Sequence, residues 1–345
     1  MSASASMDIT IYGAGAIGGC FGAYMVKAGE DVLLVDRMAE HVDAINASGL
    51  RISGFDNLNV PAKACLPGAL RGPLGVVFLA VKSQDTAGAL DELAPLVGPD
   101  TVIVSLQNGV NPPLIAQRLG AERTVGTFIS FPADWQGPGH VEHGGAGNIW
   151  VGELDGRISP RLKRIAELLS HSVTPHITGN IYGYLWAKQI DSSLLFAQAA
   201  TNETMADLYS NPVYQPLLIA LLGEGLLVAA AAGIHLEVFD DFDLRLMRPK
   251  TPAETNAATE ALNRFAAFWR PRVKKRSGPW RDLAVRKRPT EVEYMVGWLV
   301  TEGKRLGVPA PLNERLVGMI HEIERGKRAQ GLHNLDELER ARLAA

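Results

Sequence analysis

The chain has 345 residues, of which 47% are hydrophobic and 21% charged, and its formal net charge is −3. That length accommodates two cores, and a nearly balanced charge without a Lys/Arg block argues against nucleic acid or a membrane surface as a partner. Two cysteines, Cys20 and Cys65, are too few for a disulfide framework and fit a reducing, cytoplasmic compartment.

The opening MSASASMD lacks a basic segment and an apolar one, so a frayed tail is expected there rather than a signal peptide. DITIYGAGAIGGCFGAYMVKAGEDVLLVDR then covers residues 8–37. Ile9, Ile11 and Tyr12 read as a buried strand entering Gly13-x-Gly15-x-x-Gly18. Ile17, Phe21, Tyr24 and Met25 follow at helical spacing, Gly29 breaks the helix, and residues 32–35 read as a second strand. This is the strand, turn, helix and strand that a dinucleotide fingerprint requires. Gly13 permits the sharp turn, Gly15 lets backbone approach a pyrophosphate, and Gly18 allows close helix–strand packing. Ala16 and Ile17 open the helix, whose free N–H groups and positive dipole end suit phosphates. Asp36, ending the second strand, takes the position whose carboxylate bonds the adenine ribose of NAD.

Further along, residues 75–83 and 101–109 read as buried strands with helical spacing over 84–96 between them. The alternation implies a parallel, doubly wound α/β sheet of Rossmann type. Residues 123–131 and 147–153 suggest a later, antiparallel addition. After about 172–181 strand patterns vanish and apolar residues recur at helical periods. The longest apolar run, around 226–234, is too short to span a bilayer. The expected organisation is a Rossmann domain over 7–174 followed by an all-α domain over 175–345. A ligand is expected at the carboxyl ends of the strands, at the junction with the second domain.

In this order, IYGAGAIGG, VKSQD, SLQNGV, the run VGTFISFPADWQGPGHVEHGGAGNIWVGE, LWAK, RPTEVEYMVGWL and GVPAPLNERL together resemble the ketopantoate reductase (2-dehydropantoate 2-reductase) family over nearly the whole chain. The resemblance implies hydride transfer from NAD(P)H to a 2-keto acid, a small-molecule substrate, giving a D-2-hydroxy acid. By the same resemblance Lys188, after Trp186, is the catalytic lysine. Its chemistry agrees: reducing a ketone leaves charge on oxygen, and a protonated amine stabilises it and supplies the proton. The resemblance also makes Glu291 a substrate contact supporting proton transfer, and Lys82 a cofactor contact. Asn108, before Gly109, could bond the nicotinamide ribose or the substrate. A solvated lysine, a surface ion pair of Glu291 with Arg286 or Arg288, and a turn asparagine are the plainer alternatives.

Three places depart from the family pattern. Asparagines expected four and eight residues beyond the lysine are Ser192 and Phe196 here. Phenylalanine cannot hydrogen-bond, which favours a more apolar 2-keto acid, unless the alignment slips and Asn202 supplies the amide. Asp36 stands where the family more often has a small residue, while Arg37 keeps the arginine that binds a 2′-phosphate. Asp36 therefore argues for NADH or dual use against the family's NADPH. The basic stretch 276–288 reads as a loop in which Ser277, Arg281 or Arg286 could hold a carboxylate, or simply as a solvated loop. The eight histidines show no metal-ligand spacing, so no metal is expected. The alternatives kept open are an NAD-dependent dehydrogenase for a bulkier, more apolar D-2-hydroxy acid and a non-catalytic dinucleotide-binding regulator. A monomer or homodimer is expected.

Overall fold

The computed structural model describes residues 8–130, 132–240, 242–272 and 274–344, so the expected tail over 1–7 lies outside it. The chain divides into two compact units, one ending at Ile181 and the other beginning at Tyr182. The break expected at 174–175 lies a few residues earlier.

In the first unit, twelve strands form in chain order: β1 (Ile9–Tyr12), β2 (Val32–Val35), β3 (Leu50–Gly54), β4 (Leu58–Val60), β5 (Lys63–Cys65), β6 (Leu74–Leu79), β7 (Val97–Ser105), β8 (Thr124–Ser130), β9 (Ala133–Gly137), β10 (His140–His143), β11 (Asn148–Glu153) and β12 (His176–Ile177). Eight of them make one sheet in the order β12-β11-β8-β7-β6-β1-β2-β5. The strands from β5 to β8 pair in parallel, and β11 joins β8 antiparallel, in keeping with the antiparallel addition read from the sequence.

The apolar runs are continuous because helices cover both faces. Along β6, Val76 and Phe78 pack into one core with Ile11, Leu34, Phe21 and Ile165. Val77 and Leu79 point the other way, into a second core with Tyr12, Leu90 and Ile115. The period of two along a strand divides one apolar run between two cores.

A four-stranded sheet, β4-β3-β10-β9, accompanies the large one and was not expected. Its strands are three to five residues long and form two local hairpins, β3–β4 and β9–β10, which join only through β3 and β10, as in Val141 opposite Ile52, so local periodicity carries little trace of the sheet.

The second unit is helical, with main helices Ile181–Ala199, Gln215–Ala231, Pro252–Trp269, Val296–Arg305, Pro311–Glu324 and His333–Ala344. One local expectation needs correction. The stretch 276–288 is not simply a loop: the helix Gly278–Ala284 lies inside it, started by Ser277, whose side chain accepts the Trp280 N–H. Pro279 in its first turn is compatible with that start, because the N–H groups there have no helical acceptor. A 3-10 turn, Val292–Tyr294, precedes the helix that starts at Val296. Among the described residues no helix is long and apolar enough to cross a membrane.

Candidate functional site

The first cluster forms where β1, β6 and β7 end side by side. Gly13 has φ 102°, a left-handed backbone that favours glycine, and a Cβ there would lie 2.8 Å from the backbone of Ala80 and Val81. Its N–H donates to Val35 O at 2.8 Å, which ties the turn to β2. Gly18 is tighter: a Cβ would come within 2.1 Å of Gly13 O and 2.8 Å of Ile11. Gly15 differs from both, since a Cβ there would meet nothing within 4 Å. So Gly13 and Gly18 are glycines for the protein's own packing, whereas the space beside Gly15 is a cradle that a side chain would fill.

The helix Ala16–Lys27 starts at Gly15 with no side-chain cap. Its first N–H groups, from Ala16 to Gly18, therefore offer donors and a positive dipole end to an anion. The residues fit a dinucleotide pyrophosphate at this turn.

Lys82 is partly buried and begins the turn after β6, while Asn108 is exposed beyond β7. Their turns are tied together: Ser83 Oγ donates to Asn108 O at 2.9 Å and Gln107 Nε2 to Val81 O at 2.9 Å. Asp36 follows β2, with Oδ1 accepting the Met38 N–H at 3.0 Å. Arg37 reaches Asp85 at 2.9 Å but stays exposed. Thus Gly13, Gly15, Lys82, Asn108 and Asp36 all lie at the carboxyl ends of neighbouring strands, where open α/β sheets bind ligands.

One contributor to this turn was not foreseen. Buried His41 accepts the Gly139 N–H at Nδ1 (2.9 Å), so its proton is on Nε2 and donates to Ala14 O at 2.9 Å. Only the pairing of distant segments reveals it.

A second cluster lies within the helical unit. Lys188 is partly exposed as a residue, yet burial dominates around its ammonium and pulls it down to about 8. The charges of Asp240, Asp191 and Glu291 oppose that shift, and Lys274 adds to it. The structure therefore brings Lys188 and Glu291 into one electrostatic neighbourhood. Burial thus tunes the proton affinity of this lysine well away from that of a free amine. Glu291 sits at the start of the 3-10 turn rather than on a helix. The turn is held by Thr290, whose N–H and Oγ1 donate to Glu324 Oε1 at 2.8 and 2.7 Å. Glu293 faces His321. Arg286 and Arg288, considered as partners of Glu291, both reach Asp282, at 3.0 and 2.8 Å.

The remaining candidates have internal duties. Ser192 is fully buried and donates to Gln189 O at 2.5 Å; Phe196 is fully buried in the core. Ser277 donates to Leu195 O at 3.0 Å besides capping its helix. Asn202 donates to Gln330 O at 3.2 Å. Asp191 and Asp240 were missed. Asp191 lies three residues beyond Lys188, a spacing that could have revealed it, whereas Asp240 is brought in by tertiary folding alone. Among the described residues no group of three or more His, Cys, Asp or Glu could hold a metal ion.

The chain matches two family models, "Ketopantoate reductase PanE/ApbA" over residues 9–156 and "Ketopantoate reductase PanE/ApbA C terminal" over residues 180–324. It is 30% identical to a 2-dehydropantoate 2-reductase of Pyrococcus abyssi, across 91% of this chain and 97% of that one. Among solved structures, it is similar to a PanE/ApbA family ketopantoate reductase of Ralstonia eutropha JMP134. The TM-score is 0.78 at 26% identity, covering 93% of this chain and 99% of that one. A D-mandelate dehydrogenase with NADH and anilino(oxo)acetate shares the fold, with a TM-score of 0.80 at 23% identity, covering 93% and 99% of the two chains.

Proposed function

This chain belongs to the ketopantoate reductase family of NAD(P)H-dependent oxidoreductases, and we propose that it reduces a 2-dehydropantoate-like 2-keto acid to the D-2-hydroxy acid. The observation that carries this reading is the half-buried Lys188, whose desolvated ammonium is pulled down to about 8 among the charges of Asp240, Asp191 and Glu291. In this reading the residues before 182 hold the dinucleotide and those after hold the substrate.

Gly13, Gly15, Ala16, Ile17 and Gly18 would receive the pyrophosphate, and Asp36, Arg37, Lys82 and Asn108 would contact the rest of the cofactor. When bound, the nicotinamide supplies a hydride to the carbonyl carbon. Lys188 gives its Nζ proton to the carbonyl oxygen and takes another from solvent, so the net reaction consumes one proton. A proton donor near neutrality balances availability against driving force. Glu291 supports the lysine's charge and positions the substrate. In the oxidative direction neutral Lys188 accepts the alcohol proton.

Burial of Phe196 and the engagement of Ser192 with Gln189 O favour the second reading, an NAD-linked enzyme for a bulkier, more apolar D-2-hydroxy acid. A buried phenyl offers no partner to a substrate hydroxyl, and a hydroxyl left unmatched costs ~1–3 kcal/mol. For the cofactor, Asp36 favours NADH or dual use. Arg37 must also leave Asp85 to hold a 2′-phosphate, although an exposed pair costs only ~0–1 kcal/mol to break.

The test measures oxidation of NADH and NADPH across 2-dehydropantoate and a panel of aliphatic and aryl 2-keto acids, for the parent and Asp36→Ala. Turnover with a 2-keto acid is expected, with Asp36→Ala shifting kcat/KM toward NADPH. Dinucleotide binding without turnover on any acid would support the non-catalytic regulator instead.

A further inference from the structure

Asp191 is 6% exposed, and among the described residues its Oδ1 has no hydrogen-bond partner. It lies on the helix Ile181–Ala199 three residues beyond Lys188, a spacing that stacks two side chains on one helix face. The phenol of Tyr209, buried and also without a hydrogen-bond partner, lies close enough to feel its charge. A carboxyl that only packs or braces a fold finds donors, because an unmet buried acceptor is costly. What Asp191 has nearby instead are the charges of Asp240 and, acting the other way, Lys188.

We propose that Asp191 is a positioning residue whose carboxylate, buried on the lysine's face of the helix with an unpartnered oxygen, keeps Lys188 protonated as the pH rises. Its role in catalysis rests on the reading of Lys188 as proton donor. The electrostatic logic runs through two coupled titrations. Burial, with Asp240 reinforcing it, pushes the Asp191 carboxyl up to about 7; burial, with Lys274 reinforcing it, pulls Lys188 down to about 8. Around pH 7 the acid loses its proton and becomes an anion, just below the pH at which the lysine would lose its own. The new charge then favours the ammonium. The charged groups facing the pair are Asp240, Lys274 and Glu291, with neutral Tyr209 beside Asp191. Asp240 and Glu291 support the ammonium too, but Asp191 is the one that shares the lysine's helix face.

The experiment compares the full chain with Asp191→Asn. The first readout is the pH profile of kcat for 2-keto acid reduction. The alkaline limb should move to lower pH by on the order of one unit, the size of a charge interaction across one helical turn. Activity at pH 6 and the KM for the keto acid should change less than about twofold. The second readout needs no turnover: lysines are methylated with ¹³C-formaldehyde and titrated by NMR, with Lys188→Arg assigning the Lys188 signal. The Lys188 midpoint should fall in Asp191→Asn. In the parent the signal should show a second inflection near neutrality from Asp191, which keeps the idea testable if Asp191→Asn does not fold. An unchanged midpoint, or a single inflection in the parent, overturns the proposal. A shifted midpoint in a chain that reduces no keto acid upholds the electrostatic coupling and overturns the reductase reading instead.

Discussion

At the scale of single residues, the chemistry converges on Lys188. Lys188→Ala should lower kcat by ~10²-fold or more, the range for a lost acid–base group, while dinucleotide affinity stays close to the parent's. In the parent, reduction should slow as pH rises through about 8, where Lys188 loses its proton, and oxidation of the hydroxy acid should quicken over the same range. Glu291→Gln should lose less, shared between kcat and KM, since the carboxylate both supports charge and positions substrate. Steady-state kinetics from pH 6 to pH 9.5 check all three, and a parent profile flat through pH 8 would remove Lys188 as the donor. Lys188 and Glu291 could be picked out as candidates in the chain, because they sit in short recognisable stretches. The lysine's depressed proton affinity was not legible there, because desolvation depends on what packs around it. Nor was the duty of Ser277: a serine in a basic stretch reads equally as a substrate contact or a helix cap, and its bonds to Trp280 N and Leu195 O decide for the second.

At the scale of elements, the turn from β1 into the helix Ala16–Lys27 separates structural glycines from the one beside a cradle. Gly15→Val should fold with a melting temperature near the parent's and lose dinucleotide binding, because its side chain enters space that no protein atom occupies within 4 Å. Gly18→Val should lose both. Its Cβ would fall 2.1 Å from Gly13 O, an overlap that backbone cannot relieve cheaply, and overpacking alone costs ~1–3 kcal/mol. Thermal denaturation and nicotinamide fluorescence titration distinguish the two, and a Gly15→Val protein that binds dinucleotide like the parent would refute the assignment. The alternation of strand and helix was readable because each element carries its own period. The four-stranded sheet was not, since its two short hairpins join only through β3 and β10, far apart in sequence.

For the molecule as a whole, the buried pair sets a pH-dependent penalty on folding. The Asp191 carboxyl, raised from 3.8 to about 7, favours the folded state most below pH 4, and that contribution is lost as pH rises through 7. Lys188, lowered from 10.5 to about 8, favours the folded state above pH 10.5, and that contribution is lost as pH falls through 8. Between pH 7 and 8 neither is present, a deficit on the order of 4 kcal/mol for Asp191 and 3 kcal/mol for Lys188. The parent should therefore melt furthest below an Asp191→Asn/Lys188→Met double variant near pH 7–8, with the gap narrowing at pH 5 and pH 10. A gap independent of pH would show that the pair is not buried as charges. The sequence by itself determined the Rossmann-type sheet, the helical second half, the glycine turn and the family, because these rest on local periods and on motifs read within a few residues. Tertiary structure alone decided the joining of two hairpins into the second sheet, the His41 brace on the turn and the approach of Asp240, Lys274 and Glu291 to Lys188. Those depend on which distant segments meet, and burial and charge proximity exist only once they have met.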